Sequence, residues 1–497
     1  MAATLLALSL LREQPHLRLL LVEKSTKFPD KVGESISDVT ALFLNRFNIP
    51  EILGQQTQKS GLRFLFNEHQ SADFGQMDEF CGPSFKSLAN GYHLHRSSFD
   101  QALLEAAQQA GAEVWRPAEV VEMGGGDFNY QIKIRREDED TLVQSRWVVD
   151  ASGTARLLAG WLDLAEQDLP LQTGAVFAHW DHLPPPEERW DTQPNPVWET
   201  RAIGPRSLAT LHFLRKGCWW WHIRLLDGRT SLGIVYDKEQ WEFAEACGFY
   251  QAFLEEDAQL RQIIRGGIRG PVHHFPHLPY LAESFSGLGW ALLGDAAGFV
   301  DPLFSPGLEL TVQQLLWLKE LLLRDLQTQH YDLKAWTKYN ATFKRAFIDR
   351  MYIHRQGYQL MHSFDLFTNW TQLGLLAYYL FVVIPGLLVP SRLKFPVHFN
   401  ALSRWSYGLL IKRYLTIANN RVRENRHSTS LPKPIAFSYI NLSSRRNVIL
   451  QVPRLAGIWL LNYLRIEWTE FKRLFSQKTP DPSKVPITSL AGQKDPS

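Results

Sequence analysis

The sequence predicts an α/β fold, in which a Rossmann-like nucleotide-binding domain carries an antiparallel substrate-side sheet and ends in a helical C-terminal region. Three observations predict it. Apolar runs at Leu17 to Glu23, Trp147 to Asp150 and Trp290 to Leu293 each stop at an acidic or Gly-Asp step, as buried parallel strands do at a ligand-facing edge. Between Leu171 and Tyr236, four alternating runs are separated by Pro, Gly and Asp turns. Beyond Thr328, helical periodicity with proline breaks takes over.

The totals bound the function. With 497 residues, 45% of them hydrophobic, the chain can form two or three domains around a large core. Lys plus Arg number 53 against 51 acids, so there is no nucleic-acid footprint. The three cysteines, Cys81, Cys218 and Cys247, are too far apart for a disulfide framework or a CxxC metal site, and imply a reducing cytoplasm. Met1 to Leu11 lacks the basic start of a signal peptide.

In order, Ala2 to Arg12 reads as an apolar helix and Leu17 to Glu23 as a buried strand. Glu23, at the strand end, is placed to hold ribose hydroxyls. The helix from Ser37 to Phe47 follows Lys31-Val-Gly-Glu-Ser35, and Lys59 to Phe66 reads as an aromatic strand. Tyr92-His-Leu-His-Arg96 enters a helix over Ser98 to Ala110, with Ser98 as its N-cap. Val120 to Val143 reads as a hairpin turning at Gly124 to Asp127.

The four alternating runs, Thr173 to Trp180, Ser207 to Phe213, Trp219 to Leu225 and Thr230 to Tyr236, predict the substrate-side sheet, with Trp220 on the face opposite Trp219 and Trp221. His273, His274 and His277 have no matching acid or cysteine, so no metal is expected. Leu292 to Gly307 then combines a strand end, small residues, Asp295 and a proline-rich turn, before a helix over Leu308 to Leu323. Such a loop lets a cofactor approach the backbone and offers it unpaired N–H groups.

Leu366 to Ser391 contains no charged residue. It reads as a buried or substrate-lining helix, or as a membrane-contacting segment. Arg392, Lys394, Arg404, Lys412, Arg413, Arg421, Arg423 and Arg426 follow; the face is either merely solvated or meets anionic lipid or an acidic carrier protein. Peripheral membrane contact through 366–427 is therefore one expectation, beside a cytoplasmic location.

Leu19 to Glu23, Lys31-Val-Gly-Glu-Ser35, Arg96, Val148-Val-Asp150-Ala-Ser-Gly153 and Leu293-Gly294-Asp295 together resemble flavoprotein monooxygenases of the para-hydroxybenzoate hydroxylase type, over roughly residues 1–325. Three further motifs resemble the flavin-dependent halogenases. Phe299-x-x-Pro302-x-x-Ser305-x-Gly307 matches their F-x-x-P-x-x-S-x-G signature. Trp219-Trp220-Trp221-His222-Ile223-Arg224 resembles W-x-W-x-I-P, except that Arg224 replaces proline. Lys59-x-Gly61-x-x-Phe64 resembles the K-x-G-x-x-F segment that carries the catalytic lysine in halogenases of phenols and pyrroles.

The resemblance implies FAD, reduced by a partner flavin reductase, together with oxygen and a halide ion, acting on an electron-rich aromatic that is free or tethered to a carrier protein. It implies Glu23, Gly33, Arg96, Asp150, Gly294, Asp295, Pro302 and Gly307 as cofactor-binding, and Lys59 and Ser305 as catalytic. Trp219, Trp221, Phe299 and Phe304 would line the tunnel. Tryptophan halogenases place a glutamate where this chain has Phe304, so free tryptophan is not the expected substrate. It also implies a strand and a G-x-G-x-x-G turn before the first helix, where this sequence begins; a truncated, catalytically impaired flavoprotein is one alternative, and a monooxygenase or dehydrogenase on the same fold is another. The expected domains are a FAD-binding first part (1–165, with a substrate-side insert at about 36–95), the sheet (166–275), a FAD-binding second part (276–325), a helical domain (326–476) and a polar tail (477–497).

Overall fold

The computed structural model describes residues 1–67, 73–81, 84–86, 91–164, 169–189, 205–241, 246–384, 401–423, 431, 439–441 and 445–476. Two short parallel pairs form the nucleotide-binding part. Leu20–Val22 pairs with Glu113–Trp115, and Val148–Asp150 pairs with Trp290–Leu292. The apolar helix Ala2–Glu13 buries Leu5, Leu6, Leu8, Leu10 and Leu11 against the helices Arg96–Gln109 and Pro306–Thr328. Burying five leucines on one short helix is worth about 1.5–3 kcal/mol each, and this fixes how the long helix meets the sheet edge.

Two turns differ from the sequence reading. The strands Glu119–Gly126 and Asn129–Arg136 are joined at Asp127 and Phe128, whose φ values are 49° and 69°. The turn needs two left-handed residues, and an acid and an aromatic supply them, while the three glycines stay in the strand. At Gly125 a Cβ would lie 2.2 Å from the Asn129 carbonyl oxygen, so close strand approach explains a glycine there. The helix Arg96–Gln109 also starts two residues before Ser98, with His95 as N-cap; Ser98 instead bonds His95.

The large sheet has eight strands among the described residues. Its order is Ile268–Arg269, Thr173–Asp181, Thr230–Asp237, Cys218–Arg224, Thr210–Arg215, Leu62–Phe66 and Asp78–Cys81, and His273–Phe275 also pairs with Thr173–Asp181. All pairings are antiparallel except Thr210–Arg215 with Leu62–Phe66. The expected strand over Lys59 to Phe66 is broken at Gly61, whose φ is +88°. Thr57–Lys59 therefore turns away and pairs with Gly91–His93, which puts Lys59 beside the sheet rather than in it.

Strand alternation gives this sheet two faces. Trp219 and Trp221 pack with Phe64, Phe66 and Phe177, whereas Trp220 packs with Phe213, Trp180 and Phe253. Behind the first face lie the helices Leu333–Leu360 and Phe364–Tyr378 and a single π-helical turn, Tyr379–Val383. Leu366, Phe367, Trp370, Leu373, Leu376 and Tyr379 are buried, so the described part of the uncharged stretch is core. Among the described residues no helix is long and apolar enough to cross a membrane. Two arginines of the basic stretch are paired with the helix Arg445–Ser476, exposed Arg413 with Glu467 and buried Arg421 with Glu470, while Arg392, Lys394 and Arg426 lie outside the described residues.

Candidate active site

Lys59, at the end of Thr57–Lys59, is 9% exposed, and its Nζ donates to Ser35 Oγ at 2.7 Å. Withdrawal from water pushes its ammonium down to about 7, opposed by the charge of Asp38. From Ser35 a hydrogen-bonded chain runs inward: Ser35 Oγ to Thr210 Oγ1 at 2.8 Å, Thr210 Oγ1 to His93 Nε2 at 3.0 Å, and His93 Nδ1 to the Arg224 carbonyl at 3.2 Å.

The direction of every donor in that chain follows from its end. A carbonyl only accepts, so His93 carries its proton on Nδ1. Burial and the Lys59 charge push His93 down to about 3, so the ring is neutral and Nε2 accepts. Thr210 then donates to His93, Ser35 donates to Thr210, and Lys59 donates to Ser35. The Arg224 side chain points elsewhere: its Nη1 donates to the Leu183 carbonyl at 2.8 Å, so the residue that departs from the proline motif brings its backbone to this site rather than its charge.

The turn 299–307 reaches the same node. Phe299 is half-buried with its ring against Gly307, where a Cβ would sit 4.0 Å away, and the Pro302 carbonyl accepts from Ser305 N–H at 2.9 Å. Phe304 and Ser305 both take left-handed backbone, with φ of 67° and 56°, a conformation that costs a non-glycine residue about 1–3 kcal/mol. That geometry opens Pro306–Thr328 without a side-chain cap and leaves Ser305 Oγ 3.5 Å from Ser35 Oγ. The unpaired N–H groups of that first turn thus open beside the lysine node.

Buried polar groups hold the strained turn in place. Asp301 is 1% exposed and accepts from Leu303 N–H, from Thr173 Oγ1 at 2.9 Å and from the Tyr358 hydroxyl at 3.0 Å. Tyr358 in turn accepts from Trp219 Nε1 at 2.9 Å, so the tryptophan strand, the turn and the helix Leu333–Leu360 are one hydrogen-bonded unit. His354 meets the carbonyls of Leu303 and Arg350, each at 2.7 Å. An aromatic cluster forms on the same sheet face: Phe64 stacks on His212 at 4.7 Å and meets Phe304 at 5.5 Å, and Phe367 packs against Phe64 and Trp370 against Phe304. Trp221 lies 6.1 Å from Trp219 and donates to Ser231, farther along the same face.

The residues assigned to a cofactor gather at the parallel strand ends, but in different ways. Arg96 donates to the carbonyls of Val32 and Gly33 at 3.0 and 3.2 Å and pairs with buried Asp100, so it clamps the 32–33 turn. Gly33 has φ +90°, and a Cβ there would meet Arg96 Nη1 at 2.5 Å. Gly294 takes φ +66° and its N–H is held by Gln314 Oε1 at 2.9 Å, which presents Asp295 from the loop. Burial raises the Asp295 carboxyl against the pull of Arg96 and Lys31, and among the described residues it forms no hydrogen bond. Glu23 Oε1 accepts from Ser25. Asp150 is occupied by its own loop: one oxygen accepts from Ser152 N–H and the other from Leu158 N–H, each at 2.8 Å.

Sequence reasoning quoted Ser35 without a role and did not single out Thr210, His93, Asp38 or Tyr358. Their one local signal is a polar residue inside an apolar or alternating run.

The profile described as "Tryptophan halogenase" matches residues 68–359. The 1H-pyrrole-2-carbonyl-[peptidyl-carrier protein] chlorinase of Pseudomonas fluorescens is 24% identical over 263 residues, covering 51% of this chain and 55% of that protein. Tetracycline 7-halogenase of Kitasatospora aureofaciens is 26% identical over 338 residues, 59% of this chain and 57% of that one. The chain thus spans little more than half the length of these curated relatives in the matched region. Among solved structures, halogenase PltM in complex with phloroglucinol and FAD shares the fold with a TM-score of 0.74 at 18% identity, covering 94% of each chain. With the matching profile spanning more than half of its residues, this chain belongs to the tryptophan halogenase family.

Proposed function

We propose that the chain is a flavin-dependent halogenase that places chloride or bromide on an electron-rich, phenol- or pyrrole-like ring. The observation that carries the reading is the buried Lys59 amine, pushed down to about 7 and joined through Ser35 to Ser305, which directly follows Phe304 of the aromatic cluster. The named relatives act on a carrier-bound pyrrole and on tetracycline, and a structural neighbour holds phloroglucinol, all electron-rich rings.

The residues present fit FAD. Among the described residues Asp295 is a part-buried carboxylate without a protein donor, with Arg96 and Lys31 near it, and suits ribityl or pyrophosphate-side polar groups; Glu23 keeps, among the same residues, one oxygen for ribose hydroxyls. When bound in reduced form, supplied by a separate flavin reductase, FAD provides the two electrons with which oxygen and halide become hypohalous acid. The balance is ring–H, halide, O2, FADH2 and one proton giving ring–halogen, FAD and two waters. Ser305 and the unpaired N–H groups at the start of Pro306–Thr328 support halide at the node. Lys59 receives the hypohalous acid, as ammonium by donating a hydrogen bond and as amine by forming an N–halogen bond with loss of water. Phe64, Phe304, Trp219 and their neighbours exclude bulk water, so that the oxidant meets the ring and not solvent. Arg224, turned away to Leu183, leaves this chemistry undisturbed.

The test supplies reduced FAD, oxygen and bromide or chloride with phloroglucinol, a phenol panel and a carrier-bound pyrrole, and reads product mass. Gain of halogen is expected; gain of oxygen, or flavin oxidation without product, would sink the reading in favour of a monooxygenase or an impaired homologue.

A further inference from the structure

We propose that His179, held by Glu34, is the base that takes the O–H proton of a phenolic substrate, so that the ring meets the halogen as its phenolate. This deepens the halogenase reading, rests on it for the chemistry that follows, and narrows the substrate from electron-rich rings to phenols.

Glu34 and His179 are both buried, at 3% and 9% exposure, and His179 Nε2 lies 2.6 Å from Glu34 Oε1. Among the described residues the other carboxylate oxygen, Oε2, is buried without a hydrogen-bond partner, and His179 Nδ1 has none either. A buried oxygen without a donor is costly, so a bound group that brings a donor is favoured there. Two links join the pair to the lysine node. Along the chain, Glu34 directly precedes Ser35, whose Oγ accepts from Lys59 and stands 3.5 Å from Ser305 Oγ. Across the sheet, His179 is directly opposite Ser231, and Ser231 Oγ accepts from Trp221 Nε1 at 2.9 Å. Phe177 joins the group, with its ring 5.9 Å from His179 and 6.1 Å from Trp221. The pair thus ties the Ser35 segment to the tryptophan side of the sheet.

Two acceptors beside aromatic rings suit an aromatic ligand that carries an acidic donor. Glu34 takes the Nε2–H, which fixes the tautomer and leaves Nδ1 to accept, the arrangement by which a carboxylate orients a histidine base. Burial alone lowers His179, but the hydrogen bond and charge of Glu34 outweigh it, and the ring is held above the ordinary histidine value. Arg229 and Asp30 also face it; they pull in opposite directions and pair with each other at 2.8 Å. His93 and His212 are pushed down to about 3 by burial and the Lys59 charge, so neither takes a proton near neutrality. A phenol hydroxyl titrates about three to four pH units above histidine, within reach of such a base, whereas a pyrrole N–H is far weaker. The hydroxyl proton moves to Nδ1 and leaves its electron pair on oxygen. The ring carbon then takes halogen from hypohalous acid, the hydroxide released removes the C–H proton as water, and the imidazolium returns its proton to the product oxygen.

The experiment reads the proton without using turnover. The full chain, loaded with oxidised FAD and given no reductant, is titrated with para-nitrophenol, and difference absorbance follows both binding and the yellow phenolate. At a pH where the free probe is mostly protonated, wild type should bind it enriched in phenolate. His179→Gln should bring the phenolate share back to that of free probe and weaken binding about 10-fold or more, as loss of a hydrogen bond to a charged group does. Glu34→Gln, which keeps the shape of the side chain, should act in the same direction and serves if His179→Gln does not fold. para-Nitroanisole, which has no proton to give, should bind all three alike. Wild type that binds no probe or does not enrich its phenolate would overturn the proposal, and so would enrichment that survives in Glu34→Gln but is lost in Lys59→Ala. Phenolate capture by a chain that halogenates nothing would support the pair and count against the halogenase reading; halogenation without capture would do the reverse.

Discussion

The two faces of the large sheet use the same residue types to opposite ends. On the face of Trp220, Phe213, Tyr250 and Phe253, rings pack on rings, and Tyr250 spends its hydroxyl on a strand carbonyl and on Trp180. On the face of Trp219 and Trp221, rings alternate with Thr173, Thr210, His212 and Ser231, and each indole N–H is tied to a hydroxyl. One face supplies stability and the other keeps polar groups in fixed directions beside Lys59. A sheet can serve both ends because side chains alternate every residue, so a single strand, Cys218–Arg224, contributes to each independently.

Four substitutions would break or sharpen that contrast. Lys59→Ala should cost halogenation about 100-fold or more while flavin still binds, read by product formation and flavin fluorescence; retained turnover would place the chemistry off this face. Trp220→Ala should cost about 3–5 kcal/mol in denaturant unfolding, yet leave the identity of the product unchanged, and a changed product would erase the division of labour. Tyr358→Phe should cost about 1–3 kcal/mol, because Trp219 and Asp301 each lose a buried partner, and should loosen the 301–305 turn enough to weaken protection of halide-dependent turnover from water. Ser231→Ala, which keeps the Trp221 ring and removes only the acceptor of its N–H, should cost about 1 kcal/mol with activity near wild type.

Much of this could be read in the sequence because period and chemistry coincide there. The Trp219 to Trp221 run predicts opposite faces by alternation alone, and the structure puts Trp220 on one and its neighbours on the other. Lys59, Ser305 and the Gly294 loop sit in local motifs, so their neighbourhood could be anticipated. What joins them could not. Ser35, Thr210, His93 and Arg224 are brought together by the pairing of Thr57–Lys59 with Gly91–His93 and of Leu62–Phe66 with Thr210–Arg215, and no local pattern encodes either register. Asp150 shows another limit: a strand-end acid reads as a ligand, and the alternation of the strand does not show that each of its oxygens also holds a loop N–H group. The glycine run misleads because glycine marks both turns and close strand approach, and here it marks the second.

The chain from Lys59 to the Arg224 carbonyl has a last consequence, for proton traffic. Every link points inward, and the final acceptor is a peptide oxygen that cannot pass a proton on. A proton leaving Lys59 by this route needs no rotation to reach His93 Nε2, but burial and the Lys59 charge push that ring down to about 3, so it does not hold the proton, and beyond it lies only the peptide oxygen. The wire is therefore a poor conductor, and on the proposed reading of Lys59 any proton it exchanges crosses on its other side, in step with the chemistry.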